Sequence, residues 1–267
     1  MIDSISSPSL RAAFKFPFET KNWILQFVIG TALIFASMVI PIIPIIFIYG
    51  YFAEVMRRAI TDDAMTLPAW DNWGQLFKDG LRCFGVGAVY LGPGILVSMV
   101  GFFAYFVMLI ASIAISPEST YDSTTSGLIG LLSLGAMGVL FLSMFVGTLL
   151  LIVGAIPLPA AIANFIAHDK FSAAFHVREW GAILKADKWG YFIAWLIYLG
   201  LIAMLYIGFM LAYLTFFLCC FFYLAAFPIG LYLMMVSATI FGQYYRESAK
   251  LVPVDSKTTD TVNLISS

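Results

Sequence analysis

Two histidines and a scatter of aspartates are the residues of this 267-residue chain best suited by type to chemistry. His168 and His176 stand eight residues apart, with Asp169 after the first and Arg178-Glu179 after the second. A helical metal pair places its imidazoles four apart so that both face the ion, and this spacing does not. Asp62, Asp63, Asp71 and Asp79 are oxygen donors of the kind that hold a hard divalent cation. Arg57, Arg58, Lys78 and Arg82 lie among them, and ordinary charge balance accounts for the same residues. Cys83, Cys219 and Cys220 sit within or beside apolar runs, lack metal-ligand spacing and read as small core residues. No glycine-rich phosphate loop and no nucleophile elbow occurs. The expectation is a protein that is not an enzyme and holds neither cofactor nor metal.

The elements around these residues are set by composition. The chain is 62% hydrophobic and 11% charged, with a mean hydropathy of +0.96. So few charges do not cover the surface of a soluble domain of this length. A net charge of −1 gives no reason to expect nucleic acid as a partner. A bilayer core needs about 20 apolar residues of helix. The runs predict an all-α, polytopic integral membrane helix bundle with about six transmembrane helices, at residues 23–40, 45–60, 84–115, 127–156, 189–212 and 218–242. They form three hairpins in a single transmembrane domain, 1–246, followed by a flexible tail, 247–267.

Drawn this way, all 14 Lys and Arg residues fall on one face. Arg11, Lys15 and Lys21 precede the first span, and Arg57, Arg58, Lys78 and Arg82 follow the second. Lys170, Arg178, Lys185 and Lys188 follow the fourth, while Arg246, Lys250 and Lys257 follow the sixth. The other face carries only Glu118 and Asp122. Basic flanks stay in the cytoplasm, so the pattern predicts a multi-pass protein of the cytoplasmic (inner) membrane with both termini cytoplasmic. Charges precede the first run and no small-residue cleavage site follows it, which predicts an uncleaved anchor.

Within the spans, Pro41 and Pro44 bracket a tight turn, and Glu54 pairs with Arg57 or Arg58 one turn on. Gly92-Pro93-Gly94 predicts a kink or a half-helix break, the feature that builds binding sites in some transporters. Gly127, Gly130, Ser133, Gly135, Gly138, Ser143 and Gly147 make the fourth span a surface for close helix approach. The charge-free run 189–242 divides near Tyr213 to Phe217, and Pro228 bends the last span. No Asp, Glu, Lys, Arg or His lies near the middle of a span, which counts against proton-coupled transport. Gln26, Thr31, Ser98, Asn164 and Gln243 are the polar residues within or beside spans, and bonds to neighbouring helices account for them.

A short amphipathic helix introduces each hairpin. After Ser7-Pro8, Leu10, Ala13, Phe14 and Phe18 share a face. Trp70, Trp73, Phe77, Gly80, Leu81 and Phe84 fall opposite Asp71, Gln75, Lys78 and Arg82. Ala173, Val177, Trp180 and Leu184 oppose Arg178, Glu179 and Lys185. Such helices lie at the headgroups, so Trp70, Trp73, Phe77 and Trp180 are the candidate contacts for the bilayer or a partner. Ala-Ala-Phe recurs at 12–14 and 173–175, a hint of an internal repeat.

The stretch Leu67-Pro68-Ala69-Trp70-Asp71-Asn72-Trp73-Gly74-Gln75-Leu76-Phe77-Lys78-Asp79-Gly80 resembles a motif of the prokaryotic multi-span membrane proteins of domain of unknown function 4013. Ala13-Phe14, Pro17-Phe18, the hairpin end from Gly50-Tyr51 to Arg57-Arg58, and Phe241-Gly242-Gln243-Tyr244-Tyr245-Arg246 are similar too. The resemblance implies a multi-span membrane protein and carries over no activity, cofactor or catalytic residue. Two functions fit these readings. One is a non-enzymatic bundle that organises the membrane or binds other membrane proteins or a second copy. The alternative is a permease or lipid-handling transporter with its helix broken at Gly92, Pro93 and Gly94.

Overall fold

In lipid a backbone satisfies its polar groups by coiling into helices or closing into a barrel, and every regular element of the described residues is helical. The computed structural model describes residues 7–61, 66–114, 123–213 and 216–252. Asp62, Asp63, Glu118, Asp122 and the tail from 253 lie outside them, as do the side chains of Ser7, Pro8, Cys219 and Cys220. The chain begins with α1 (Ser7–Glu19), α2 (Trp23–Ala36) and α3 (Ile42–Thr61). Two long helices follow, α4 (Trp73–Ala114) and α5 (Ser123–Ala155), then α6 (Leu158–His168) and a 3₁₀ turn (Phe171–Phe175). The chain continues through α7 (Val177–Ala186) and α8 (Lys188–Tyr213) to α9 (Phe216–Ala249).

Among the described residues, four helical stretches are long and apolar enough to cross a membrane: Trp73–Ala114, Ile129–His168, Lys188–Tyr213 and Leu224–Ala249. The first two of the six expected spans stand outside this set. α2 is roughly 21 Å of helix, against a hydrocarbon core of roughly 30 Å. α3 has 20 residues but carries Glu54, Arg57 and Arg58. α8 ends at Tyr213 and α9 starts at Phe216, within the interval expected from the charge-free run.

The described residues form two compact units, one up to Val86 and from Pro159 onward, the other within Gly87–Leu158. In the first, α3 and α9 pack along each other, with α8 and α2 also against α9. Tyr51, Met56 and Ile60 of α3, Leu231, Met235, Ile240, Tyr244 and Tyr245 of α9, and Phe165 of α6 are fully buried. At Gly242 a Cβ would meet Ala59 and the Met56 carbonyl, so α3 and α9 touch where no side chain fits. α1 differs from its expected face. It continues through Pro17 to Glu19, buries Ala13, Phe16 and Pro17, and leaves Phe18 exposed. The two Ala-Ala-Phe segments also differ, since 12–14 is α-helical and 173–175 lies in the 3₁₀ turn.

In the second unit the later part of α4 packs on α5. α4 is unbroken through Pro93, so the half-helix break expected at Gly92-Pro93-Gly94 is not formed. Gly92 faces open space, whereas a Cβ on Gly94 would meet the Gly147 carbonyl and Leu151. Ser143 seats on Gly101, Gly147 on Ser98, and Gly154 on the Tyr90 carbonyl. Small residues thus let the two backbones approach. Gly127, Gly130, Gly135 and Gly138 take no part, and space is open beside them.

Candidate functional site

The tryptophan segment is positioned by a cap. Asn72 accepts the Gln75 backbone N–H through Oδ1 at 3.3 Å, which fixes Trp73 as the first residue of α4. Trp70 therefore precedes the helix and turns inward. Its ring stacks on Tyr51 with centroids 4.1 Å apart, and its indole N–H donates to the Gln26 carbonyl at 3.1 Å. The Tyr51 hydroxyl donates to the Pro68 carbonyl at 3.1 Å, and the Leu67 N–H donates to Thr20 Oγ1 at 2.9 Å. Residues 67–70 are thereby tied to α2, α3 and the end of α1.

Two of the four expected contact residues are consequently core. Trp70 is 6% exposed and Trp180 is 8% exposed, so neither presents its ring to a partner. Trp73 and Phe77, at 41% and 40%, do present theirs. Leu81 and Phe84 extend the same exposed stripe, and Phe47 of α3 backs it through its contacts with Trp73 and Phe77. The opposite face of this part of α4 is locked to α3. A Cβ on Gly80 would strike the Ile46 carbonyl, and one on Gly50 the Leu76 carbonyl, so backbone lies on backbone there.

Beside that crossing lies a cavity of about 240 Å³, lined by Glu54, Arg58, Asp71, Asn72, Gln75 and Asp79 among others. Asp79 is 1% exposed and accepts from Arg57 at 2.7 Å and from Gln75 at 3.0 Å. Its other oxygen is 3.9 Å from the Arg82 guanidinium. Arg57 also donates to Glu54 at 2.6 Å, and Arg58 to Thr66 Oγ1 at 3.1 Å. Arg82 reaches on to Asp169 at 3.1 Å, where the backbone adopts a left-handed φ of 48°. A buried carboxylate between guanidiniums is a charge-compensated brace. Among the described residues, the lining consists of carboxylates, a guanidinium and amides beside Pro68, Ala69 and Leu76, so the cavity offers hydrogen-bonding groups.

The remaining sequence candidates are dispersed. Among the described residues, no three of His, Cys, Asp and Glu gather as a metal-ligand set. His168 Nδ1 donates to the Asn164 carbonyl at 2.9 Å, and His176 pairs with Glu179 at 3.3 Å. Asn164 is the better-used polar residue. Fully buried, it donates to the Ala173 carbonyl at 2.8 Å and to Glu179 at 3.2 Å, and accepts from the Tyr245 hydroxyl at 2.7 Å. It joins α6, the 3₁₀ turn, α7 and α9, which is the helix-to-helix bonding expected of such residues. Asp187 accepts the Gly190 N–H at 2.9 Å and so caps α8, a role sequence reading passed over although Asp one residue before a helix signals it.

No curated protein and no solved structure matches the chain. The family described as "Protein of unknown function (DUF4013)" matches residues 33–214, a stretch that includes the tryptophan segment, the Asp79 brace and the α4–α5 pair. The chain belongs to the DUF4013 family.

Proposed function

We propose that this is a multi-pass protein of the cytoplasmic membrane, basic segments and both termini inside, that works without catalysis. It organises its surroundings by binding other membrane proteins or a second copy of itself through the first turns of α4. The observation that carries this reading is the contrast between the two faces of that segment. One face is braced by Gly80 on Ile46 and by Asp79 on Arg57, while the other leaves Trp73, Phe77, Leu81 and Phe84 exposed. A rigid, aromatic, uncovered stripe is the composition of an interface core. The basic flanks support the orientation, which needs only an even number of crossings.

The test is native mass spectrometry of the protein purified gently in lipid nanodiscs, alongside a Trp73→Ala/Phe77→Ala variant. The unaltered chain is expected to carry a defined oligomer or a co-purifying membrane protein. The variant should lose it while inserting normally. Association that survives in the variant removes the basis of the proposal. The permease or lipid-handling alternative loses the broken helix on which it stood, because α4 is continuous through Pro93. A single solute or lipid bound in stoichiometric amount would restore it.

A further inference from the structure

We infer that the outer face of α1 and the corner leading into α2 bind anionic phospholipid headgroups, with Arg11, Lys15 and Lys21 as the cations that hold them. The inference rests on the membrane reading above and on no part of the protein-binding one.

Charge is the first ground. Arg57, Arg58, Arg82, Arg246 and Lys250 each pair with a carboxylate. Arg11, Lys15 and Lys21 are exposed and form no ion pair with any carboxylate of the described residues. From Leu10 to Ala53 they are opposed by one acid, Glu19. A zwitterionic headgroup brings its own cation and needs acids to receive it, whereas a surplus of Lys and Arg beside a bilayer attracts net negative lipid.

Placement is the second ground. α1 buries Ala13, Phe16 and Pro17, and Arg11 and Lys15 stand on the opposite face, one turn apart. Phe18 shares that outer face. The helix is fixed to the body of the protein. The Tyr232 hydroxyl of α9 donates to the Phe14 carbonyl at 3.0 Å, and the Thr20 hydroxyl donates to the Phe16 carbonyl at 3.2 Å. Thr20 Oγ1 in turn accepts the Leu67 N–H. Asn22, with a left-handed φ of 67°, then turns the chain into α2 directly after Lys21.

At this corner Phe18 packs with Trp23, Phe27 and Tyr232, at centroid distances of 5.2, 6.0 and 5.4 Å. Such aromatic clusters mark the headgroup level of a bilayer. Ile24, Leu25 and Val28 follow at once, exposed and apolar, where α2 enters hydrocarbon. The three cations therefore stand at phosphate depth on a braced helix, the arrangement of an interfacial amphipathic helix. The corner between α7 and α8 is a natural comparison. Exposed Trp189 begins that membrane helix too, but Arg178, Lys185 and Lys188 are interleaved there with Glu179 and Asp187.

Native mass spectrometry of the full chain, titrated in detergent with phosphatidylglycerol or phosphatidylcholine of the same acyl chains, reads the binding directly. Phosphatidylglycerol should bind about tenfold or more tightly than phosphatidylcholine. Arg11→Gln/Lys15→Gln/Lys21→Gln should lose that preference and leave phosphatidylcholine binding unchanged. All three side chains are exposed, so the exchange spares the buried face of α1. Arg178→Gln/Lys185→Gln/Lys188→Gln removes the same charge from the other corner and should keep the preference. Arg11→Lys/Lys15→Arg/Lys21→Arg retains the charge and should keep it as well. Equal binding of the two lipids by the unaltered chain overturns the site and leaves the membrane reading intact. Equal loss in both glutamine variants, or loss in the charge-retaining one, overturns it too. Inorganic phosphate that displaces phosphatidylglycerol would assign the cations to a soluble anion and overturn the lipid. A chain that binds neither lipid removes the membrane reading with it.

Discussion

Trp70 and Trp73 show how far three residues can separate two roles. Asn72 caps the helix between them, so Trp73 stands on the outer face of α4 while Trp70 is folded under the cap against Tyr51. Burial alone would strand the Trp70 indole N–H, and the Gln26 carbonyl receives it. Trp70→Ala should therefore remove a stacked ring, leave a cavity and cost about 3 kcal/mol. Trp73→Ala removes a half-exposed ring that still rests on Phe47 and should cost less, about 1 kcal/mol. Thermal unfolding in mild detergent compares the two. Equal losses would mean that Trp70 is not the core residue its contacts make it. A family motif thus mixes residues that build the fold with residues the fold displays, and only the latter are informative targets for a binding assay.

Contact between elements here depends on glycines as well as on large side chains. Gly50 and Gly80 let α3 and α4 cross backbone on backbone, and a methyl at either would strike a carbonyl. Gly74 lies in the same helix with nothing within 4 Å of its Cβ position. Gly50→Ala or Gly80→Ala should force the helices apart and lower stability by about 1–3 kcal/mol. Gly74→Ala should raise it by about 0.5–1 kcal/mol through helix propensity. If all three behave alike in unfolding, the close crossing is wrong. The sequence announced some of these elements. The helical class, the Glu54–Arg57 pair and the packing at Ser143 and Gly147 followed from apolar runs and short spacings. Other features were hidden for a physical reason. An amphipathic pattern separates an apolar face from a polar one but does not say whether the protein core or the bilayer covers the apolar face, so it could not place Trp180 or Phe18. The apolar face expected over residues 70–84 fails at Trp70 because the helix starts only at Trp73, after the Asn72 cap. Asp79 with Arg57 and Asn164 with Tyr245 are tertiary pairs that no local spacing encodes.

At the scale of the whole molecule, the proposed orientation does not depend on whether four or six crossings are counted. Taking α2 and α3 out of the span count changes six to four, and either number returns the C-terminus to the side of the N-terminus. Arg57, Arg82 and Asp79 form one ion-pair network, so the basic residues there are partly neutralised by acids. That does not weaken the signal, because retention counts Lys and Arg and gives acids little weight. Alkaline phosphatase, active only outside the cytoplasm, should therefore be inactive when fused after Lys250 and active when fused after Asp122. A fluorescent protein that matures only in the cytoplasm should report the reverse. An active phosphatase after Lys250 would require an odd number of crossings, and the α8–α9 pair would be the first place to look for the error. α8 and α9 together make up one charge-free run, so orientation tests their separation at a distance.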